Sequence, residues 1–242
     1  MRTFSGKTYW IVGASEGLGR ALAMALSKAG AEVIVSARSA ERLSGLVAEL
    51  PTPGRAVACD VADADSVAQA AAEVGPVDGM VFLAGVYWPM KATEWDTDKI
   101  AAMIDVNLTG AARVVGAVLP GMLERKAGHI VLTGSLSGFR GLPGAVGYGT
   151  TKAGIMSLGE TMRIDLKGTG VVVQNANPGF IKTRLTDKND FKMPFLMEPE
   201  EAADHMMRLM RSERFSSSFP WAFGSWFRFS QFLPDWLYYR IY

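Results

Sequence analysis

Cysteine, histidine and excess charge are all scarce in this chain. A single cysteine, Cys59, among 242 residues rules out an intramolecular disulfide. Its neighbours Ala56, Val57 and Ala58 read as strand, so it is expected as a small buried apolar residue. Two histidines and one cysteine stand far apart, so no metal site is expected. The formal net charge is only +1, which argues against broad electrostatic capture of nucleic acid. No uninterrupted apolar run reaches about eighteen residues, so no membrane-spanning helix is expected. The N-terminus passes almost directly into a strand pattern, with no basic stretch followed by an apolar one. A reducing, cytoplasmic setting is the resulting expectation.

Apolar residues make up 49% of the chain, enough for a sizeable core. They fall into short continuous runs at 8–12, 33–37, 56–59, 79–83, 130–133 and 171–176, separated by segments of helical pattern. The expected helices run to about 29, then over about 40–50, 63–74, 98–105, 108–125, to 167, and 198–211. Strands apolar on both faces imply a parallel sheet covered by helices on both sides. Residues 215–219 add a seventh strand. The expected fold is therefore one doubly wound α/β (Rossmann) domain over residues 1–242, with a parallel sheet of about seven strands. Its ligand crevice lies at the carboxyl ends of the strands.

The first strand runs into Gly13-Ala14-Ser15-Glu16-Gly17-Leu18-Gly19, which opens a helix. Missing side chains at Gly13, Gly17 and Gly19 let the backbone approach a pyrophosphate at a helix N-terminus. An acid at the end of the second strand would bind the ribose 2′-hydroxyl of NAD, and none is present. The chain reads Val35-Ser36-Ala37-Arg38-Ser39 instead. The Arg38 guanidinium can pair with a 2′-phosphate, with Ser36 or Ser39 adding hydrogen bonds, so NADP(H) is favoured over NAD(H). Glu16 in the glycine loop argues mildly the other way.

Tyr148 and Lys152 stand four residues apart on one expected helix face, and Ser135 ends the fifth strand. A hydroxyl, a phenol and an ammonium gathered there suit proton transfer at a small oxygen. Taken with Asp60-Val61, Asn107, Ala84-Gly85 and Pro178-Gly179, these motifs resemble the short-chain dehydrogenase/reductase family over residues 5–211. The resemblance implies an oxidoreductase acting on CH–OH or C=O groups, with Tyr148 as general acid or base and Ser135 polarising the substrate oxygen. Lys152 would hold the nicotinamide ribose and, with the positive charge of an oxidised nicotinamide, lower the Tyr148 pKa, and Asn107 would anchor a proton-relaying water. It places Ser15, Leu18, Asp60, Val61, Ala84, Gly85, Pro178, Gly179, Ile181 and Thr183 against the cofactor. A second reading of Asn107 is a cap for the helix beginning near Leu108. One departure stands out: where the family carries Asn-Asn-Ala-Gly, this chain has Phe82-Leu83-Ala84-Gly85.

A small apolar ketone, aldehyde or alcohol is the expected substrate, its pocket formed by Trp88, Phe139, Leu142, Phe180 and Phe191, with residues 186–197 as a lid. The family resemblance also implies a homodimer or homotetramer. The C-terminal extension, 220–242, is aromatic-rich: half of the chain's aromatic residues lie between Phe215 and Tyr242. Such a surface must cover its own domain, a second subunit or a membrane surface. The last would make a cytoplasmic protein membrane-peripheral.

Overall fold

The apolar runs become seven parallel strands of one sheet in a computed structural model that describes residues 1–241. They are β1 (Thr8–Val12), β2 (Glu32–Ala37), β3 (Gly54–Ala58), β4 (Gly79–Phe82), β5 (Gly128–Thr133), β6 (Val171–Pro178) and β7 (Ser216–Phe219). Their spatial order is β3-β2-β1-β4-β5-β6-β7. Side chains alternate across the sheet. Ile11, Val33, Val35, Val81 and Val131 face one core, while Trp10, Ile34, Met80, Phe82, Ile130 and Leu132 face the other. Both faces are dry, which explains why the strands read as continuous apolar runs rather than as alternating ones. Each fully buried Val, Leu or Ile contributes about 1.5–3 kcal/mol.

Helices α1 (Gly17–Lys28), α2 (Ala40–Glu49) and, later in the chain, α7 (Pro199–Arg211) cover the first face through Leu22, Leu26, Leu43, Leu46, Met206 and Met210. The second face is covered by α3 (Ala64–Val74), α5 (Gly110–Glu124) and α6 (Val146–Asp165), through Val67, Val114, Val118 and Ile155. Local chemistry starts these helices. Ser39 caps α2, and Asp63 caps α3 by accepting from Asp65 and Ser66 N–H groups. Pro199 opens α7, with Glu200 and Glu201 at its positive end and Arg208 and Arg211 at its negative end.

Between the expected helices at 98–105 and 108–125 the chain does not break. Helix α4 (Thr97–Met103) continues through a π-helical turn, Ile104–Thr109, into α5. Asn107 lies inside that turn and is fully buried, so its reading as a helix cap is overturned. The continuous helix spans 28 residues and by length and composition is apolar enough to cross a bilayer. Here Ile100, Met103, Ala111 and Val114 are buried within the domain. After β7 come α8 (Trp221–Ser230) and the short α9 (Asp235–Tyr238).

At the amino ends of the strands, a buried polar cluster ties β1, β5, β6 and α7 together. The Gln174 amide nitrogen faces the carbonyls of Leu209, Ser212 and Arg214. Its oxygen must therefore accept from His129 Nε2, 2.8 Å away, which leaves Nδ1 to accept from the Tyr9 hydroxyl at 2.9 Å. Burial, reinforced by the nearby Arg2 cation, lowers the His129 pKa to about 3. The unfolded chain binds a proton at this histidine below about 6.5 and the folded one does not, so stability falls with pH. Between about pH 7.5 and pH 5.5, this group alone should remove about 1.4 kcal/mol. Urea midpoints at the two pH values should show that loss, and a His129→Asn variant should show much less of it.

Candidate active site

The crevice forms where β1 and β4 are neighbours but their connections leave in opposite directions, the switch point at which such sheets bind ligands. Gly13 takes a φ of +97°, and a Cβ there would fall inside the Leu83–Ala84 backbone. A Cβ on Gly19 would strike the Gly13 carbonyl. The loop can therefore lie against the end of β4 only as glycine. This contact also accounts for the Phe82-Leu83 departure. Phe82 is packed in the core, and the Leu83 N–H donates to Val12 O at 2.8 Å, so backbone and packing join the strands here.

A cleft of about 1000 Å³ runs from this loop to Tyr148. Gly13, Ser15, Gly17, Leu18, Gly19, Arg38, Asp60, Val61, Ala84 and Gly85 line one part of it. Ser135, Tyr148, Lys152, Pro178, Gly179, Ile181 and Thr183 line the rest. The fit to a nicotinamide dinucleotide is physical: a side-chain-free cradle at the start of α1, an open cleft, and a cation at its far end. Among the described residues, Arg38 has neither an ion pair nor a hydrogen bond. Arg42, one turn into α2, lies beside it along the same cleft. Glu16 does not stand as a bare charge. Its carboxylate accepts from Arg42 Nη1 at 2.9 Å and from Arg184 Nε at 2.8 Å. One supporting role is corrected. The Ser36 hydroxyl is buried and accepts from the Trp10 indole at 2.8 Å, so it does not reach the cleft, whereas Ser39 lines the cleft while its oxygen caps α2. Asp60 Oδ1 accepts from Ala62 N–H, fixing the turn after β3.

At the other end, α6 carries Tyr148 to the cleft wall and buries Lys152 beneath it. Lys152 Nζ donates to Thr133 O at 2.8 Å and lies 5.4 Å from the Tyr148 ring centroid. Burial lowers the Lys152 pKa to about 8. Burial also raises the Tyr148 pKa above its ordinary value; the neighbouring Tyr87 adds to this, and a hydrogen bond with Ser135 opposes it. Tyr148 thus keeps its proton at neutral pH.

Ser135 accepts hydrogen bonds from the Ser137 hydroxyl at 3.0 Å and the Ser137 N–H at 3.2 Å. Its own proton is then directed outward. Asn107 sits one layer back. Its Oδ1 accepts from Val86 N–H at 2.7 Å, and its Nδ2 donates to Val86 O at 3.0 Å and Thr151 Oγ1 at 3.1 Å. The side chain thus holds the segment after β4 against α6, and its hydrogen bonds go to Val86 and Thr151 rather than to Lys152.

Of the five expected pocket residues, only Trp88 lines the cleft. Phe139 lies instead in a separate hollow of about 300 Å³ shared with Arg228 and Phe232. Phe180 packs on Phe191 and Phe223, with ring centroids 5.8 and 6.0 Å away. Leu142 sits in a turn closed by Ala145 N–H. Phe180 is drawn from the cleft by Phe223 of α8, and Phe139 lies under the Arg228 guanidinium of the same helix. The segment 186–190 does close over the site. Lys188 Nζ donates to Tyr87 O at 2.6 Å, Asn189 accepts from the Tyr87 hydroxyl at 3.0 Å, and the Tyr87 ring stands 4.9 Å from that of Tyr148. Arg42 and Thr151 escaped the sequence reading, whereas Lys188 and Asn189 fall within the expected lid. Only Arg42, four residues after Arg38, offered a signal there. No metal-binding cluster occurs among the described residues.

Ser135→Ala should lower kcat about 10²–10³-fold, as loss of an oxyanion donor does. Ser137→Ala should cost roughly tenfold through misorientation of Ser135, about one hydrogen bond's worth. Steady-state kinetics on both variants, with unchanged melting temperatures, checks this order; equal losses would make Ser137 more than a positioning residue.

Comparison with known proteins agrees with this geometry. A family model described as short chain dehydrogenase matches residues 7–193. An uncharacterized oxidoreductase of Myxococcus xanthus is 39% identical over 97% of this chain and 96% of its own. A short-chain dehydrogenase structure from Streptomyces avermitilis superposes with a TM-score of 0.85 at 26% identity, covering 100% of this chain and 96% of its own. The 3-oxoacyl-[acyl-carrier protein] reductase of Brucella melitensis superposes with a TM-score of 0.80 at 26% identity, covering 90% and 91%.

Proposed function

This chain belongs to the short-chain dehydrogenase family, a family of nicotinamide-dependent oxidoreductases, and on that premise we propose that it is an NADPH-dependent reductase of apolar ketones or aldehydes. The observation that carries the reading is the pairing of a protonated Tyr148 at one end of the cleft with an unpaired Arg38 at the other. A reduced nicotinamide, when bound, supplies a hydride. The residues do the remaining work. The glycine loop and the α1 N-terminus would hold the pyrophosphate, and Arg38 would receive the 2′-phosphate while Arg42 stays paired with Glu16. Lys152 meets the ribose hydroxyls.

Ser135, oriented by Ser137, donates to the carbonyl oxygen. Tyr148 transfers its phenolic proton to that oxygen as the carbonyl carbon accepts the hydride, which yields the alcohol. Tyr87 and Trp88 make the wall beside the reacting oxygen aromatic, while Lys188 and Asn189 latch the lid over it and keep water out.

Consumption of NADPH against a panel of apolar ketones and aldehydes tests the activity. Tyr148→Phe should lower turnover about 10²–10⁴-fold, and retained turnover would refute the assigned proton donor. Arg38→Asp should lower the NADPH/NADH ratio of kcat/KM about 10²-fold, since it removes a charge-assisted contact and adds repulsion. An unchanged ratio would sink the assignment of Arg38.

A further inference from the structure

Ser135 stands at the head of a 3₁₀ turn, Leu136–Gly138, which runs straight into residues 139–141, a stretch outside any helix or strand. The turn closes back on itself. Gly138 N–H donates to Ser135 O at 3.1 Å, and Phe139 N–H donates to Leu136 O at 3.3 Å. On its inner side the turn lies against α6, where a Cβ on Gly138 would fall 2.9 Å from the Ala153 nitrogen. On its outer side it is held from the far end of the chain.

Three consecutive residues of that stretch are each bonded to the C-terminal tail. Phe139 O accepts from Gln231 Nε2 at 3.2 Å, and Gly141 O accepts from the Tyr238 hydroxyl at 2.7 Å. Between them, the Arg140 guanidinium donates to Ser230 O at 2.5 Å and to Leu233 O at 2.7 Å. It also pairs with Asp235 at 2.6 Å and lies 3.9 Å from the Tyr238 ring centroid. Ser230 is the last residue of α8, where the negative end of the helix favours a cation. The ion pair is the weaker part, because Asp235 is 83% exposed and such pairs are largely offset by solvent. The carbonyl bonds are the stronger part. The Arg140 side chain is only 14% exposed, and charge-assisted bonds are roughly twice as strong as neutral ones.

The polar groups on the inner side of the tail therefore converge on the loop that leaves Ser135. From this convergence we propose that Arg140 is a positioning residue for Ser135. By locking residues 139–141 to α8 and α9, it fixes the 3₁₀ turn and with it the direction in which Ser135 presents its proton. The tail is thereby a working part of the active site, although none of its residues enters the cleft lining. The catalytic half of this inference rests on the reading of Ser135 as donor to a carbonyl oxygen; the dependence of the loop on the tail does not.

The test compares the full chain with Arg140→Gln and with Tyr238→Phe, which keeps the ring and removes one bond to the loop. Amide hydrogen exchange reads the loop without turnover. In Arg140→Gln the amides of residues 136–141 should exchange at least about tenfold faster while those of β5 are unchanged, and Tyr238→Phe should show a smaller increase. NADPH oxidation with a ketone that the parent reduces reads the chemistry. Arg140→Gln should lower kcat about tenfold, the size of one misdirected hydrogen bond, with the NADPH dissociation constant unchanged. In a Ser135→Ala background the same substitution should cost less than about twofold, since a residue acting through Ser135 has nothing left to act on. An equal loss in both backgrounds would overturn the proposal, and so would unchanged exchange or unchanged kcat. A fall in NADPH affinity alongside kcat would overturn it too, by assigning Arg140 to the stability of the whole domain. If Arg140→Gln does not fold, Tyr238→Phe decides the matter by the same readouts. If the parent reduces no ketone or aldehyde, the reductase reading fails by itself, and the proposal then stands or falls on exchange at residues 136–141.

Discussion

The close approach of the Gly13 loop to the Leu83–Ala84 backbone is the constraint on which the rest of the site depends. Parallel strands connected by right-handed crossovers must send their connections to opposite faces somewhere in the sheet, and here that happens between β1 and β4. The gap that opens is useful only if both strand ends are bare. Glycine supplies this on β1, and Ala84-Gly85 supplies it on β4. Asn107 then fixes the chain beyond Gly85 by pairing with both backbone groups of Val86. The buried amide holds in place the segment that carries Tyr87 and Trp88 to the lid.

Charge is distributed along this cleft by competition for partners. Three arginines approach its outer end, but Arg42 and Arg184 share the carboxylate of Glu16, which leaves Arg38 available to a ligand. At the inner end, burial lowers the Lys152 pKa to about 8 and raises that of Tyr148. Lys152 keeps its contact with Thr133, and Tyr148 keeps one with Ser135. The site is therefore set for proton donation before any ligand arrives.

The aromatic residues behave differently. Phe139 and Phe180 belong by sequence to loops that border the cleft, yet their rings pack toward α8. A large ring goes where it buries most area, about 150–250 Å² each, and the tail offers more of it than the cleft mouth does. The lid is thus supported from behind by the tail, while its polar residues Lys188 and Asn189 face the site.

Short-range patterns were legible in the sequence. The continuous apolar runs specified the sheet, and the spacing of Gly13, Gly17 and Gly19, of Tyr148 and Lys152, and the position of Ser135 specified the cleft. In each case the geometry is local to one strand–turn–helix unit, and period and spacing are properties of the chain itself. The unbroken helix through Asn107 was not legible, because a π turn leaves no composition signal and is held by contacts with Val86 and Thr151. Nor was the direction of the Tyr148 pKa shift, which depends on how much water the folded walls exclude. The destinations of Phe139 and Phe180, the engagement of Ser36 by Trp10 and the sharing of Glu16 between two arginines were likewise decided only in three dimensions. In each of those cases the partner is distant in sequence, and the outcome is a competition for contacts that exists only once the sheet has brought the competitors together.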